Sequence, residues 1–210
     1  MRAPARDWVA DLETGAPDVV AVWRAIDPDQ KSDDYSAARD DLETRSARLG
    51  AGAILAQQEA VGDALEGILD AMPDDMLRAP GGEGDWNVSQ AYAHTTGARR
   101  YLPAAAAMWA SGRWPSDDPP RVTPGIPGPG DLDREALTVF LNKSRRSQAV
   151  SAAAISGHEA EICPMEHPLI GQQLSCGAWL LFAGVHDLMH LEQLHALLER
   201  GIARETGTER

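Results

Sequence analysis

Two histidines spaced four residues apart, His186 and His190, are the residues of this sequence best suited to chemistry. They lie in GAWLLFAGVHDLMHLEQLHALLER, residues 177–200, a pattern typical of a helix. Positions four apart lie on one helix face, one turn apart, so the two imidazoles adjoin. An unpartnered buried imidazole costs about 1–3 kcal/mol, so the pair is expected to share a metal ion or another polar partner. The same face carries the apolar residues Trp179, Phe182, Met189 and Leu197.

A third histidine, His94, lies in an earlier predicted helix and could complete such a site. Three neutral imidazoles from two helices would bind zinc, nickel, iron or copper. Three protein ligands leave coordination positions open, which is typical of catalytic rather than structural sites. The alternative is structural, since the HxxxH spacing occurs by chance in many helices and each histidine could simply be hydrogen bonded or partly exposed.

Four further residues are expected to support or line this site. Gln193 lies one turn past the last histidine of the pair and could orient a ligand or a bound water, or make an ordinary interhelical hydrogen bond. Tyr101 lies two turns past His94 and could line a pocket or pack in the core. Trp86 precedes the first turn of that helix. His167 is expected to shape a loop near the bundle end.

Other charged residues in these helices are expected to have structural roles. Asp187 lies off the histidine face, which favours a salt bridge over metal ligation. His195 points away from the pair and is expected at the surface. The arginine pairs are expected on solvated helix faces: Arg99 with Arg100, and Arg145 with Arg146.

Helical periodicity predicts an all-α bundle of four long helices with an N-terminal extension. Residues 1–34 are expected to form an arm that packs on the domain or on a second subunit, and residues 35–205 to form the bundle. No strand pattern is evident. The connection 113–130 holds six prolines and is long enough to let the second and third helices run parallel. The four helices are predicted at 35–71, 87–112, 131–155 and 177–200.

Local signals mark where these helices begin, break and end. Asn87 followed by Gln90 predicts a capping box at the start of the second helix. Gly50 predicts a break in the first helix, and Asp131 is expected to cap the third. The apolar residues of the third helix are expected on one buried stripe: Leu132, Leu137, Phe140, Leu141 and Val150.

Composition limits the function. The formal charge of −13 disfavours nucleic acid and anionic membrane surfaces as partners. No apolar run of about 18 residues predicts a transmembrane helix, and the N-terminus lacks an apolar signal core. Cys163 and Cys176 do not make a disulfide framework, so a reduced, cytoplasmic location is expected.

Four short motifs together resemble the DinB/YfiT-like family. They are PDDML (73–77), GDWNVSQAYAHTTGARRYL (84–102), HPLIG (167–171) and HDLMHLEQ (186–193), in the family's order and spacing. The resemblance spans roughly residues 54–200 and implies a four-helix bundle of up-down-down-up topology, often a homodimer. It also implies a metal site at His94, His186 and His190. Asn87 and Gln90 depart from the family's Ser/Thr and Glu, but they are equivalent caps.

The resemblance also implies a function. Related proteins include thiol-dependent S-transferases and the N-terminal domains of maleylpyruvate isomerases, which use low-molecular-weight thiols such as mycothiol or bacillithiol. A mononuclear metal enzyme is therefore expected, with zinc, nickel or iron, which transfers a small thiol to an electrophilic small molecule, or isomerises it, through a metal-bound thiolate. The alternatives are a hydrolase that uses metal-bound water and a non-catalytic, metal-binding or structural dimer. The sequence identifies no general base.

Overall fold

The computed structural model describes residues 8–26, 35–80, 86–167 and 173–205. In this part of the chain the fold is all-α, as predicted, with six helices, one 3₁₀ turn at Asp74–Leu77 and two short strands. The glycine-rich stretch 81–85, most of the HPLIG motif (168–171) and the segments 1–7 and 27–34 lie outside the described residues. The helices are α1 (Trp8–Gly15), α2 (Pro17–Ala25), α3 (Ser36–Ala71), α4 (Val88–Ala110), α5 (Arg134–Ile155) and α6 (Cys176–Glu205).

The four long helices α3, α4, α5 and α6 pack around one core. α3 and α4 each contact both α5 and α6, so α5 and α6 lie on opposite sides of the group. The core is mainly aliphatic, because the chain is poor in aromatic residues. The four predicted helices are confirmed; the up-down-down-up order of their directions stays a prediction. Fully buried side chains in this core include Ile54, Leu65, Tyr92, Leu141 and Trp179.

The described part of the predicted N-terminal arm packs on the same core. Helices α1 and α2 lie against α3, and α2 also lies against α6. Val19, Val22 and Trp23 are buried there. The Gln57 side-chain oxygen accepts a hydrogen bond from the Asp18 amide at 2.9 Å, which satisfies a free donor in the first turn of α2. The arm therefore belongs to the packed structure.

The predicted capping box at the start of α4 is present. The Asn87 side chain accepts from the Gln90 amide at 2.8 Å, and the Gln90 side chain accepts from the Asn87 amide at 3.0 Å. The break in α3 is also confirmed, because Gly50 has a φ of 72°, which a residue with a Cβ adopts only with strain.

The predicted cap of α5 is wrong by two residues. Asp133, and not Asp131, caps the helix, and its side chain accepts from the Ala136 amide at 2.8 Å. The chain at residue 132 is still engaged by α4, where the Leu132 amide donates to the Ser89 hydroxyl at 3.2 Å. The helix can begin only after that contact.

The apolar stripe predicted for α5 is partly wrong. Val150 is 71% exposed. The buried face instead follows Leu137 and Leu141 through the polar residues Ser144 and Gln148. Apolar residues alone therefore do not mark the buried face at this end of the helix.

The prediction that the chain has no strands is also wrong. Strands β1 (Ile162–Glu166) and β2 (Gln173–Ser175) form an antiparallel pair in the connection between α5 and α6. They are too short for an alternating pattern to stand out in the sequence. Among the described residues, none of the helices combines the length and apolar character that a membrane span requires.

Candidate metal centre

The three predicted histidines meet between α4 and α6. His94 projects from α4, and His186 and His190 project from α6; these residues are named the histidine cluster. One ring nitrogen from each lies within 4.8 Å of the other two. The Nε2 atoms of His94 and His186 are 3.3 Å apart. The structure thus brings together residues that are about 90 positions apart in sequence.

A backbone carbonyl fixes the protonation of His94. Its Nδ1 lies 2.7 Å from the carbonyl oxygen of Ile126. A carbonyl oxygen can only accept, so Nδ1 carries the proton and donates. The lone pair of the neutral ring is then on Nε2, the atom that faces the cluster.

Gln193 does the same for His190. The Nδ1 atom of His190 donates to the Gln193 side-chain oxygen at 2.9 Å. This leaves the Nε2 lone pair of His190 free to bind a cation. The structure therefore places the Gln193 side chain on the Nδ1 of a candidate ligand, and its orienting role stays a prediction.

His186 is the least satisfied member of the cluster. Its Nδ1 is buried and has no hydrogen-bond partner among the described residues. Its Nε2 faces that of His94, and two such nitrogens at 3.3 Å need a proton or a cation between them. Two tetrahedral zinc ligands at Zn–N distances of about 2.0–2.1 Å would lie roughly 3.3 Å apart. The donor set and this distance fit a divalent transition metal.

Burial keeps the cluster neutral. Desolvation lowers the pKa of His190 to about 4 and lowers the pKa of His186 well below its usual value. It also lowers the pKa of His94, against the opposing effect of the hydrogen bond to Ile126. Neutral imidazole is the form that binds metals, so the cluster is ready to do so near neutral pH.

A cavity of about 550 Å³ reaches the histidine cluster. Part of its wall comes from residues 121–128. They belong to the end of the proline-rich connection, residues 121–130, which is named the strap. Met189, predicted to be a core residue, is 38% exposed and lines this space. The predicted pocket residues Trp86, Tyr101 and His167 line it as well.

Hydrogen bonds attach the strap along α4. The Tyr101 hydroxyl accepts from the Arg121 amide at 2.8 Å and donates to the Arg121 carbonyl at 2.9 Å. Further along, the Gly128 amide donates to the Gln90 carbonyl at 3.2 Å, and the Ser89 hydroxyl donates to the Pro129 carbonyl at 2.9 Å. The sequence predicted an extended connection here but not its role as a cavity wall, because nothing local shows which helix it lies against.

Aromatic rings surround the histidines. Trp86 lies parallel to the His190 ring, with centroids 6.2 Å apart, and meets the His94 ring at an angle, with centroids 4.9 Å apart. The buried His167 packs edge-on against Phe182 at 4.8 Å. Burial lowers the pKa of His167 to about 4, so it too is neutral.

A buried ion pair lies next to the cluster and corrects one prediction. Arg99, expected on a solvated face, is fully buried and pairs with the equally buried Asp187. Its guanidinium also donates to the Gln58 carbonyl. The expected salt bridge of Asp187 is thus present, and its partner lies on the neighbouring helix α4.

Two other expectations about charged groups change in the structure. His195 is half-buried rather than at the surface, because Trp8 of α1 stacks on its ring with the two centroids 4.9 Å apart. Arg145 is mostly buried and binds Glu59 at 2.7 Å and Asp63 at 2.8 Å, both on α3. Each departure depends on a neighbouring helix.

The fold and this site define an all-α protein with a cluster of three imidazoles that can hold a metal ion. The sequence model of the DinB superfamily matches residues 57–194, well over half of the chain. The protein belongs to the DinB superfamily, which confirms the resemblance seen in its motifs. The comparisons with curated proteins and with solved structures gave no significant match.

Proposed function

We propose that this protein is a mononuclear metal-dependent enzyme in which His94, His186 and His190 hold zinc, nickel or iron. The observation that supports this most directly is the cavity of about 550 Å³ that opens onto the histidine cluster. A purely structural metal site usually has four protein ligands and no access for a substrate. Three ligands beside an open cavity leave room for a small molecule.

The proposed reaction is the transfer of a low-molecular-weight thiol to an electrophilic small molecule, or the thiol-dependent isomerisation of that molecule. A bound divalent cation would lower the pKa of a thiol or a water and hold it as an anion near neutral pH. Membership of the DinB superfamily supports the thiol, since the motifs resemble those of thiol-dependent transferases and isomerases. In the transfer, the S–H bond breaks and the sulfur bonds to the electrophilic carbon. The electron pair displaced from that carbon departs with a leaving group or, where a double bond is attacked, takes up a proton.

Several residues of this chain would orient and enclose the reactants. Ile126 and Gln193 hold two imidazoles with their lone pairs toward the cluster. Trp86 and most of the strap residues give the cavity mainly apolar walls. An apolar surrounding strengthens the attraction between a cation and an anionic nucleophile.

Metal analysis of the purified protein tests the metal part of the proposal. We expect one equivalent of a transition metal in the wild type and its loss in His186→Ala. His195→Ala is the matched control, because His195 lies on the same helix but stacks on Trp8 outside the cluster. A wild-type protein without stoichiometric metal under metal-replete conditions would contradict the proposal.

A thiol-dependence assay tests the reaction class. We expect turnover of a small electrophile only with glutathione, mycothiol or bacillithiol present, and no turnover by His186→Ala. Turnover that needs no thiol would favour the alternative, a hydrolase that activates water at the same open position. Metal binding without turnover of any kind would favour a non-catalytic metal-binding dimer.

We also propose a homodimer in the reduced cytoplasm. The dimer rests on the family resemblance. The location rests on cysteine usage: both cysteines are free and buried, and burial raises the pKa of Cys163 to about 11 and that of Cys176 to about 12. Thiols of this kind are unreactive and need no oxidising compartment. Sedimentation at micromolar concentration tests the dimer, and a monomer would contradict it.

A further inference from the structure

The cavity beside the histidine cluster has an unusual charge. The chain carries 32 acidic and 19 Lys or Arg residues, yet no Asp or Glu lies among the described residues that line the cavity. Arg121 is the lining residue among them with a full charge at neutral pH. The remaining wall is apolar, apart from a few hydroxyl groups and the neutral histidines.

No described carboxylate neutralises the positive charge of Arg121. Several arginines bind carboxylates at short range, for example Arg45 with Asp18 at 2.7 Å and Arg134 with Asp74 at 2.6 Å. Within the described ranges, no carboxylate lies within 4.0 Å of the Arg121 guanidinium. Arg121 is exposed and differs from the other arginines without a described carboxylate partner in that it lines this cavity, where it is available to an anion from outside.

The backbone of Arg121 is held in place. The Tyr101 hydroxyl binds both its amide and its carbonyl, at 2.8 Å and 2.9 Å. Pro119, Pro120 and Pro124 flank it and restrict the backbone further, because each fixes its own φ. An arginine on a fixed backbone loses less freedom when it binds a ligand than one on a flexible loop.

We propose that the cavity takes small molecules with an apolar body and one carboxylate, and that Arg121 selects the carboxylate. The guanidinium matches the planar carboxylate with two parallel hydrogen bonds. The apolar walls and the Trp86 ring accommodate the rest of the molecule. This inference names the substrate class of the proposed enzyme and so rests on the proposed function for its catalytic meaning.

A pair of probes that differ in charge but not in size tests the proposal. 4-Phenylbutanoate and 4-phenylbutanamide are titrated into wild type and Arg121→Gln by calorimetry, in metal-loaded and metal-free protein. In metal-free wild type, we expect the acid to bind about five- to tenfold more tightly than the amide. Arg121→Gln should lose this preference and keep the affinity for the amide.

Arg113→Gln is the matched control, because Arg113 is an exposed arginine of the same connection that does not line the cavity. It should keep the wild-type preference. Equal affinities for the two probes in metal-free wild type, binding of neither, or a preference that survives in Arg121→Gln would overturn the proposal. The metal-free measurement separates this proposal from the proposed metal-dependent function. If the protein binds no metal but still prefers the acid through Arg121, only the metal-dependent function is contradicted.

Discussion

His94 and Ile126 are joined by a hydrogen bond in which the imidazole Nδ1 donates to the backbone carbonyl at 2.7 Å. One imidazole of the histidine cluster therefore takes its orientation from the strap, 32 residues further along the chain. The strap is at once a cavity wall and a support for a candidate ligand. Changes that shift the strap are expected to affect metal binding even where they touch no ligand.

Gly128→Ala should weaken metal binding. A Cβ at residue 128 would lie 2.5 Å from the Cβ of Ala93 and 2.7 Å from the backbone nitrogen of His94. Since the backbone of α4 cannot give way there, the strap must move, and the hydrogen bond that His94 donates to the Ile126 carbonyl weakens. We expect zinc affinity, measured by competition with a chelator, to fall about tenfold. This is the lower end of the effects seen when a residue that supports a metal ligand is changed.

Gly97→Ala is the control for this substitution. Gly97 also lines the cavity and lies on α4, but a Cβ there meets nothing within 4 Å. It should leave zinc affinity unchanged and stabilise the helix by about 0.5–1 kcal/mol. Unchanged zinc affinity in Gly128→Ala would show that the strap does not support His94.

Gln193→Leu should also reduce metal affinity, through the other oriented imidazole. The substitution removes the oxygen that accepts from His190 Nδ1 at 2.9 Å, and the ring is then free to rotate or to change tautomer. We expect about 10- to 100-fold weaker zinc binding by chelator competition. Gln193→Glu retains an acceptor and should retain most of the affinity; equal losses in both variants would contradict an orienting role.

Asp187→Leu should strongly destabilise the fold. It leaves the fully buried Arg99 guanidinium without its carboxylate, and breaking a buried pair in this way costs about 3–5 kcal/mol. Adding Arg99→Met should recover most of that loss, because apolar residues of similar volume replace a buried ion pair with little penalty. Urea unfolding measures both variants.

The surface ion pair of Arg24 with Glu13 is the control for the buried pair of Arg99 with Asp187. Both side chains are about half exposed, so Arg24→Gln should change the free energy of unfolding by less than about 1 kcal/mol. A double variant no more stable than Asp187→Leu alone would mean that the two residues do not act as a pair.

Asp18 should make stability depend on acid pH. Burial alone would raise its pKa, but hydrogen bonds from Gln57 and Arg45 and the charges of Arg45 and Arg48 outweigh it, so the pKa lies below the usual 3.8. The folded protein therefore binds a proton at this site less readily than the unfolded chain. The stabilisation is fully present above about pH 5 and is lost as pH falls through the folded-state pKa, below 3.8.

Asp18→Asn isolates this effect. At pH 7 the variant should be about 2 kcal/mol less stable than the wild type. The reason is that a neutral amide replaces the carboxylate that accepts hydrogen bonds from Arg45 and Arg48. The difference should shrink as pH falls below 4, as measured by urea unfolding at each pH. A difference that stays constant down to pH 2.5 would exclude Asp18 as its source.

Much of the fold could be predicted because its signals are local. The capping box of Asn87 and Gln90 and the break at Gly50 depend on a few neighbouring residues and on their backbone preferences. The spacing of His186 and His190 places both on one face of any regular helix, and Gln193 follows His190 by three residues. These features survive in any tertiary arrangement that keeps the helices.

Other features depended on which elements lie side by side, and no local pattern contains that. Arg99 is buried because Asp187 comes to it from another helix, and His195 is covered because α1 crosses it. The strap follows α4 because Tyr101 and His94 bind its backbone, a contact that composition alone does not indicate. The sequence by itself thus determined the helices and the candidate ligands. The tertiary structure decided how these ligands are oriented and what encloses them, because burial and hydrogen bonding are properties of neighbours in space.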